Sequence, residues 1–411
     1  MAWKETCRVN ERRRFMAELE RQLEQGAGRT NMSALCRAFG VSRQTGYKWF
    51  RRYIAAGRSI GVLEDASRRP KRSPRATAAP VVKAILEARR MHPGWGARKL
   101  RAWMLRRAAW LRLDPSTLPT PSTIGAVLRR EGLTRPRPKR GRTPPFAQPF
   151  AATTEPNGTW CVDFKGQFRT QDGRQCYPLT VMDAFSRKLL CCKALHLPNG
   201  RRVRKEFEAT FAEYGLPAAI RSDNGPPFAS TGVGGLSILS VWWTQLRIRH
   251  ERIAPGKPQQ NGRHERMHRT LKQETTTPPA PTLRAQQRVF DQFRRLYNSE
   301  RPHEALGGKT PNDIYSPSPR LLPNQLEPFE YAPECEVRRV RLDGLALLGR
   351  KKVKVGTALA RQSVAFRFIG DTRWEVCYGP VSLGIVDTRT GEIIGRRVSK
   401  RGHPYREAPH W

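Results

Sequence analysis

Acidic residues are scarce in this chain. Its 411 residues contain 35 Asp and Glu against 76 Lys and Arg, which gives a formal net charge of +41. An enzyme acting on small neutral molecules needs no such excess, whereas a polyanion such as DNA is attracted strongly by it. Residues 1–145 alone hold 34 basic and 10 acidic side chains, an excess of 24. We therefore expect the N-terminal third of the chain to dock on nucleic acid.

Two further absences narrow the class of protein. No apolar run approaches the roughly 20 residues that span a bilayer, and the start of the chain lacks the apolar segment of a signal peptide. No CxxC motif occurs among the eight cysteines, which stand at positions 7, 36, 161, 176, 191, 192, 335 and 377. We expect a cytoplasmic protein without a membrane partner. Its cysteines are expected to be reduced and mostly buried, with Cys191 and Cys192 on opposite faces of a strand.

A polar helix with one embedded acid is predicted within residues 256–272. With 3.6 residues per turn, four polar side chains share one face, while Met267 and Leu271 lie on the other and pack inward. The four are Asn261, Glu265, Arg269 and Lys272. A solvated amphipathic helix in which Glu265 only pairs with Arg269 is the alternative interpretation.

Two aspartates stand at the ends of predicted strands. Asp163 closes a short buried strand over residues 159–164, and Asp223 ends a second one before a turn at Asn224. Acids at the ends of adjacent strands, opposed by a helix that carries a third acid, can surround hard cations such as Mg²⁺. Two ions about 4 Å apart would activate an attacking oxygen and stabilise a leaving oxygen in phosphoryl transfer.

These segments and three others resemble the integrase core of bacterial insertion-sequence DDE transposases, in the order that the family shows. The segments are Trp160 to Asp163, Val181 to Arg187, Ser222 to Gly225, Pro258 to Glu274, Tyr297 to His303 and Thr310-Pro311. The resemblance covers roughly residues 155–320 and implies an α/β ribonuclease-H-like fold. It also implies a catalytic and metal-binding triad of Asp163, Asp223 and Glu265, with two Mg²⁺ ions that Mn²⁺ can replace.

The same resemblance implies DNA contacts and partners. Asn261, Arg269 and Lys272 match family positions that touch DNA. The implied partners are the terminal inverted repeats of an element, target DNA and further copies of the chain on that DNA, within the bacterial nucleoid. One departure is the gap of 42 positions between Asp223 and Glu265, whose excess falls in the glycine-rich stretch 229–235, where added length costs little.

Other polar residues near the motifs have simpler interpretations. Asp183 is expected to be structural rather than a fourth ligand, and Asn224 with Gly225 is expected to shape the turn that presents Asp223. His264 and His268 make a poor zinc site without a third ligand, so we expect them on the surface or facing DNA.

A helix-turn-helix is predicted within residues 32–50. Gly40 supplies the turn, Ser42 caps the second helix, and Gly46 is expected to allow close backbone approach. The expected core consists of Leu35, Phe39, Val41, Trp49 and Phe50. The side chains expected to face the DNA major groove are Arg43, Gln44, Thr45 and Lys48. A helical hairpin that only packs on a neighbour is the alternative.

A second helical DNA-binding module is predicted over residues 92–134, where residues 95–101 open its first helix. Thr120 begins a helix that carries Ile124, Val127 and Leu128 inward and ends at Gly132. The cations expected to contact phosphate are Arg98, Lys99, Arg129 and Arg130. Two modules in tandem would bind a longer terminal repeat than one alone.

The C-terminal pattern changes to short alternating runs from about residue 330. Turns at 343–344, 370–371 and 390–391 suit hairpins, so a small antiparallel β-barrel is predicted. The expected domains are two all-α helix-turn-helix modules over 1–65 and 79–135, basic linkers over 66–78 and 136–155, the catalytic core over 156–320 and the barrel over 330–400.

The sequence thus favours a transposase that cleaves and joins DNA. Two other functions stay open: a DNA-binding regulator that descends from such an enzyme, and a metal-dependent nuclease without strand transfer.

Overall fold

The computed structural model describes residues 7–25, 30–65, 76–134, 153–164, 166–254 and 262–394. Asn261 lies outside these residues, as do 66–75 of the first predicted linker and 136–152 of the second. The chain divides into two compact units, residues 1–76 and 77–411. Among the described residues, no helix is both long and apolar enough to cross a membrane.

The first unit contains a three-helix module, made of α1 (Arg8–Gln25), α2 (Met32–Ala38) and α3 (Arg43–Ala55). The predicted turn and cap are confirmed, since Gly40 has a φ of +63° and the Ser42 hydroxyl accepts a hydrogen bond from the Thr45 amide at 3.2 Å. Helix α1 was not predicted. It supplies Phe15, Met16 and Leu19 to the core that Leu35 joins, with Phe39, Trp49 and Phe50 packed at its edge.

Two details of this module follow from close packing. Gly46 is buried, and a methyl group there would lie 2.5 Å from the Cys36 sulfur and 3.2 Å from the Phe15 ring, which confirms the expected close approach. Val41 is 37% exposed, so its predicted place in the core is wrong. The reason is that it lies in the turn before the Ser42 cap rather than on either helix.

The second unit begins with another three-helix module, made of α4 (Ala79–Met91), α5 (Ala97–Arg106) and α6 (Pro121–Arg130). Ile124, Val127 and Leu128 are buried as predicted. The Thr120 hydroxyl caps α6. The chain leaves that helix at Gly132, whose φ is +70°.

A mixed sheet forms the centre of the second unit. Its strands are β1 (Thr159–Phe164), β2 (Phe168–Arg169), β3 (Gln175–Asp183), β4 (Leu189–Leu195), β5 (Ala219–Ser222) and β6 (Arg249–Arg252). The order across it is β4-β3-β1-β5-β6, with β2 paired to the start of β3. Strands β4, β3 and β1 are antiparallel neighbours, while β5 and β6 run parallel to β1. This is the ribonuclease-H-like arrangement that was expected.

Helices cover both faces of this sheet. They are α7 (Gly200–Tyr214), α8 (Ile238–Gln245), α9 (Gly262–Thr275) and α10 (Leu283–Ser299). Helices α7 and α8 share one apolar cluster with the sheet, and α9 and α10 share the other. Cys191 and Cys192 lie in these two different clusters, which confirms their opposite orientation.

The C-terminal strands form an open sheet rather than the predicted barrel. They are β7 (Glu336–Arg339), β8 (Leu345–Leu348), β9 (Lys351–Lys354), β10 (Ser363–Gly370), β11 (Arg373–Tyr378), β12 (Val381–Asp387) and β13 (Ile393–Ile394). Five of them pair in the order β13-β12-β11-β10-β7, and β8-β9 is a separate hairpin. Among the described residues the sheet does not close, since no pairing joins its edge strands β13 and β7.

The glycine-rich stretch 229–235 packs against this sheet. A methyl group on Gly234 would lie 2.9 Å from the Leu383 side chain. Leu236 and Val241 belong to the same apolar cluster as the C-terminal strands. The additional residues between Asp223 and Glu265 therefore form a surface on which the C-terminal sheet packs.

Candidate active site

Asp163 and Asp223 occupy matching positions on adjacent parallel strands. Cys161 of β1 pairs with Arg221 of β5, so each aspartate stands two positions beyond this pair. Strands that run parallel bring their carboxyl ends to the same edge of a sheet. The sequence motifs therefore lead to one edge of the mixed sheet.

The turn after β5 is built to present Asp223. The Gly225 amide donates to the Asp223 carboxylate at 3.3 Å, and the Asn224 amide group donates to the Ile253 carbonyl at 2.7 Å. Both residues thus shape the turn, as predicted. Although Asp223 is exposed by its surface area, partial desolvation raises the pKa of its carboxyl group, and the Gly225 hydrogen bond opposes this only in part. A nearby cation would reverse that shift.

Helix α9 carries Glu265 in its first turn, on its exposed side. Arg269 and Lys272 are also exposed, while Met267 and Leu271 are buried against the sheet, so the predicted division of the helix is confirmed for these residues. A carboxylate in the first turn is favoured by the positive end of the helix dipole.

The two histidines of α9 are buried rather than on the surface. His264 is 0% and His268 4% exposed, and the Nε2 atom of each lies 2.7 Å from the Thr180 hydroxyl on β3. Burial lowers the pKa of His264 to about 3, so its ring is neutral at physiological pH. The expectation of surface or DNA-facing histidines is wrong, because the four-residue spacing puts both on the face that Met267 and Leu271 flank.

Asp183 has a structural role. It is fully buried, and its carboxylate accepts hydrogen bonds from the Asn157 amide at 2.9 Å and from the Ser186 amide and hydroxyl at 2.7 and 2.6 Å. Burial raises the pKa of Asp183, while these hydrogen bonds oppose the rise. Its oxygens hold the end of β3 to the segment before β1, as expected.

The donor set of the candidate triad fits magnesium. Asp163, Asp223 and Glu265 offer only hard carboxylate oxygens, which Mg²⁺ prefers. Within the described ranges, however, no three His, Cys, Asp or Glu side chains lie close enough together to hold a metal ion. The convergence of the three acids on a metal pair therefore stays a prediction.

The predicted DNA-reading side chains of the first module point outward. Arg43, Gln44, Thr45 and Lys48 are all exposed along the first turns of α3. Their contact with DNA stays a prediction. Asn261, the remaining predicted contact beside the active site, lies outside the described residues.

The four predicted phosphate-contacting cations of the second module differ in exposure and in pairing, and their contact with DNA stays a prediction. Arg129 and Arg130 are exposed. Arg98 forms an ion pair with Glu304 of the catalytic region at 3.4 Å. Lys99, expected to be exposed, is half-buried, and this desolvation lowers its pKa to about 8.

The second module also docks on the catalytic region through ion pairs that sequence patterns do not indicate. Arg107 pairs with Glu300 at 2.9 Å, and both guanidinium nitrogens of Arg106 bond to Asp313. Arg301 is only 7% exposed; it pairs with Glu274 of α9 at 2.7 Å, and its guanidinium lies 5.8 Å from the Trp95 ring centroid. The segment from Tyr297 to His303 was a motif, but its spacing alone did not indicate these partners.

Known families match three stretches of the chain. Two matches are described as an integrase core domain, over residues 153–258 and 246–311, and one as a homeodomain-like domain, over residues 45–128. The homeodomain-like match begins in α3 and ends in α6, so it includes parts of both helical modules.

Two curated relatives come from insertion elements. An uncharacterized 39.2 kDa protein of IS476 from Xanthomonas euvesicatoria is 31% identical over 196 residues, 47% of this chain and 55% of that protein. An uncharacterized 31.7 kDa protein of IS407 from Burkholderia multivorans is 29% identical over 193 residues, 46% of this chain and 67% of that protein. The chain thus spans between about half and two thirds of the length of these relatives.

Among solved structures, the HTLV-2 integrase catalytic core domain in complex with magnesium matches with 18% identity and a TM-score of 0.32, over 40% of this chain and 99% of that one. The simian T-cell lymphotropic virus intasome matches with 17% identity and a TM-score of 0.34, over 68% and 97%. Residues 153–311 thus match integrase core domains, and both curated relatives are insertion-element proteins, in agreement with the resemblance that the motifs indicated.

Proposed function

We propose that this protein is a DDE transposase that binds the ends of a mobile DNA element, cleaves a strand there and joins the freed end to target DNA. The observation that supports the proposal most is the common offset of Asp163 and Asp223 on adjacent parallel strands, within the stretch that matches the integrase core domain. Glu265, on a helix packed against the same sheet, would supply the third carboxylate.

In the proposed reaction the three carboxylates would hold two Mg²⁺ ions, which Mn²⁺ could replace. When bound, the ions supply polarisation of the attacking oxygen and neutralisation of charge on the leaving oxygen. A cation bound there would stabilise the Asp223 carboxylate by its charge and so oppose the rise in pKa that partial desolvation causes. Arg269 and Lys272 share an exposed face with Glu265 and would hold the DNA phosphates, together with Asn261.

The chemistry needs no covalent enzyme intermediate. In the first step a water oxygen attacks phosphorus at the element end, the P–O3′ bond breaks, and the 3′ oxygen takes up a proton. In the second step this 3′ hydroxyl attacks a target phosphodiester and loses its proton to water, while the target P–O3′ bond breaks and the leaving 3′ oxygen takes up a proton from water. One phosphodiester replaces another, so strand transfer requires no external energy source.

Recognition of element ends is assigned to the first helical module. Arg43, Gln44, Thr45 and Lys48 project from the start of a helix that follows a tight turn, which is the arrangement that enters a major groove. The active form would be a homo-oligomer on DNA that holds two ends together. Nonspecific attraction comes from the net charge of +41.

The test is an in vitro assay with full-length protein, Mg²⁺ or Mn²⁺, and duplex oligonucleotides that carry the ends of its own element. Wild type is expected to cleave and join them. Asp223→Asn and Glu265→Gln are each expected to lower product formation by at least about a thousandfold, since each removes a metal-binding charge from the transition state. DNA affinity, measured by fluorescence anisotropy, should stay within about threefold of wild type.

Three outcomes separate the candidate functions. Equal strand transfer by either variant would contradict the assigned mechanism. Cleavage without joining would favour a nuclease, and specific end binding with no metal-dependent chemistry would favour a regulator. Inverted repeats that flank the coding region in the genome would supply the end sequence for the assay.

A further inference from the structure

A buried polar cluster joins helix α9 to the strand pair β1-β3. Thr180 and His264 are fully buried and His268 is 4% exposed. The Thr180 hydroxyl lies 2.7 Å from Nε2 of each histidine and donates to the backbone carbonyl of Asp163 at 3.1 Å. Thr180 also stands directly opposite Asp163 in the β1-β3 ladder. The Thr180 hydroxyl therefore contacts Asp163 and also the two histidines that lie on either side of Glu265 in the sequence.

The single hydrogen atom of the Thr180 hydroxyl group determines which groups donate and which accept hydrogen bonds in this cluster. A hydroxyl group has one hydrogen and two lone pairs. Because the Thr180 hydrogen goes to the Asp163 carbonyl, both histidines must donate through Nε2–H to the same oxygen. The hydroxyl group then uses its full hydrogen-bonding capacity, and both imidazole rings are held in one orientation.

This arrangement constrains the first turn of α9. The first turn of a helix lacks internal partners for its amide groups and frays easily. His264 immediately precedes Glu265 in that turn, and His268 lies one turn later. The Thr180 hydroxyl on β3, which both histidines share, therefore fixes the rotation of α9 about its axis. It also holds in place the first turn, which carries Glu265.

The same cluster lies beside Asp163. Nδ1 of His268 is 3.7 Å from a carboxylate oxygen of Asp163. Thr180 holds the backbone of this aspartate through its carbonyl. Thr180 and His268 thus connect both the backbone and the side chain of Asp163 to helix α9.

We propose that Thr180, His264 and His268 are positioning residues that hold helix α9 against strand β1, so that Glu265 and Asp163 can bind the same metal pair. This inference rests on the proposed function, because it concerns the geometry of that metal site. Both Nε2 atoms contact the Thr180 hydroxyl group, so these two nitrogen atoms are not assigned as metal ligands.

The central experiment is a Mn²⁺ titration of full-length protein followed by electron paramagnetic resonance, which detects binding without any reaction. Thr180→Val keeps the volume and removes the hydroxyl group. It is expected to raise the half-saturating Mn²⁺ concentration by about tenfold or more, as for other residues that orient metal ligands. Thr180→Ser restores the hydroxyl group and should return the value to within about twofold of wild type.

Thr244→Val is the matched control. Its hydroxyl group is also buried, at 5% exposure, but it only donates to the Ser240 carbonyl at 2.9 Å within α8. This variant should bind Mn²⁺ as wild type does. A comparable loss in Thr180→Val and Thr244→Val would overturn the proposal, because it would reflect the general cost of removing a buried hydroxyl group.

A second pair of variants keeps the test decisive if Thr180→Val does not fold. His268→Gln can place an amide nitrogen near the former Nε2 position and reach Thr180, whereas the shorter His268→Asn cannot. Gln is expected to retain Mn²⁺ binding better than Asn by about fivefold or more. Equal binding by both, with circular dichroism unchanged, would contradict the positioning role.

The outcomes also separate this inference from the proposed function. If wild type binds Mn²⁺ in an Asp163-dependent way and Thr180→Val binds it equally well, the positioning role fails while the proposed function stands. If wild type shows no Asp163-dependent Mn²⁺ binding, the metal site fails and the positioning role fails with it.

Discussion

The two helical modules have similar basic helices, yet they use their cations differently. In the first module Arg43 and Lys48 are exposed at the start of α3. In the second, Arg106 and Arg107 of the α5 region pair with acids of the catalytic region. The acids involved lie within residues 300–313, in a chain that has only 35 acidic residues.

This difference shows why a count of charges does not locate a DNA-binding surface. Both modules contribute to the same excess of positive charge, but a cation that is already paired offers less to a phosphate. We therefore assign end recognition to the first module. We assign a structural role to the docked side of the second, which reaches helix α9 through Arg301 and Glu274.

Loss of DNA affinity is expected to be much larger for substitutions in the first helical module than for substitutions in the second. Arg43→Ala combined with Lys48→Ala removes two contacts of about 1 kcal/mol or more each, so affinity for element-end duplex should fall by at least about thirtyfold. Arg98→Ala combined with Lys99→Ala should change it by less than about threefold. Anisotropy titrations at one fixed salt concentration measure both. A larger loss in the second double variant would reverse the assignment.

A pair of mid-helix glycines gives effects of opposite sign. Gly46→Ala in the first module places a methyl group 2.5 Å from the Cys36 sulfur, so overpacking is expected to destabilise that unit by about 1–3 kcal/mol. Gly125→Ala in α6 meets nothing within 4 Å and should stabilise its unit by about 0.5–1 kcal/mol through helix propensity. Calorimetric transitions of the full chain test this. Stabilisation by both changes would disprove close packing at Gly46.

The smallest effect concerns the docking ion pair. A double-mutant cycle with Arg106→Ala and Asp313→Ala should give a coupling of about 0.5–1 kcal/mol at neutral pH, as is usual for partly exposed pairs. The Arg106 hydrogen bonds lower the pKa of Asp313 to about 2. The coupling is therefore complete above about pH 4, near the ordinary pKa of aspartate, and is lost as the pH falls toward 2. If no coupling were measurable at pH 7, the Arg106–Asp313 ion pair would not contribute to docking of the second module on the catalytic region.

Much of the catalytic region could be predicted because its signals are local. Strand ends at Asp163 and Asp223 follow apolar runs, and the inward residues Met267 and Leu271 follow from helical spacing. The buried pair His264 and His268 could have been found from the same spacing, since each lies three residues before one of them. Its partner Thr180 could not, because that contact joins residues 84 and 88 positions apart.

The features that sequence patterns missed depend on tertiary partners. Alternating runs predicted strands after residue 330, but whether a sheet closes depends on the length and pairing of its edges. The stretch around Gly234, on which the C-terminal sheet packs, was predicted to be a loop in which added length costs little free energy. Pairing of Arg98 with Glu304 likewise spans more than 200 positions.

The central claim is that three acids far apart in the sequence share one metal pair. Crystals of the full-length protein with element-end DNA and Mn²⁺, measured at the manganese absorption edge, test it most directly. We expect two anomalous peaks about 4 Å apart, with carboxylate oxygens of Asp163, Asp223 and Glu265 within about 2.3 Å of them. Peaks whose ligands exclude any one of these three side chains would contradict it.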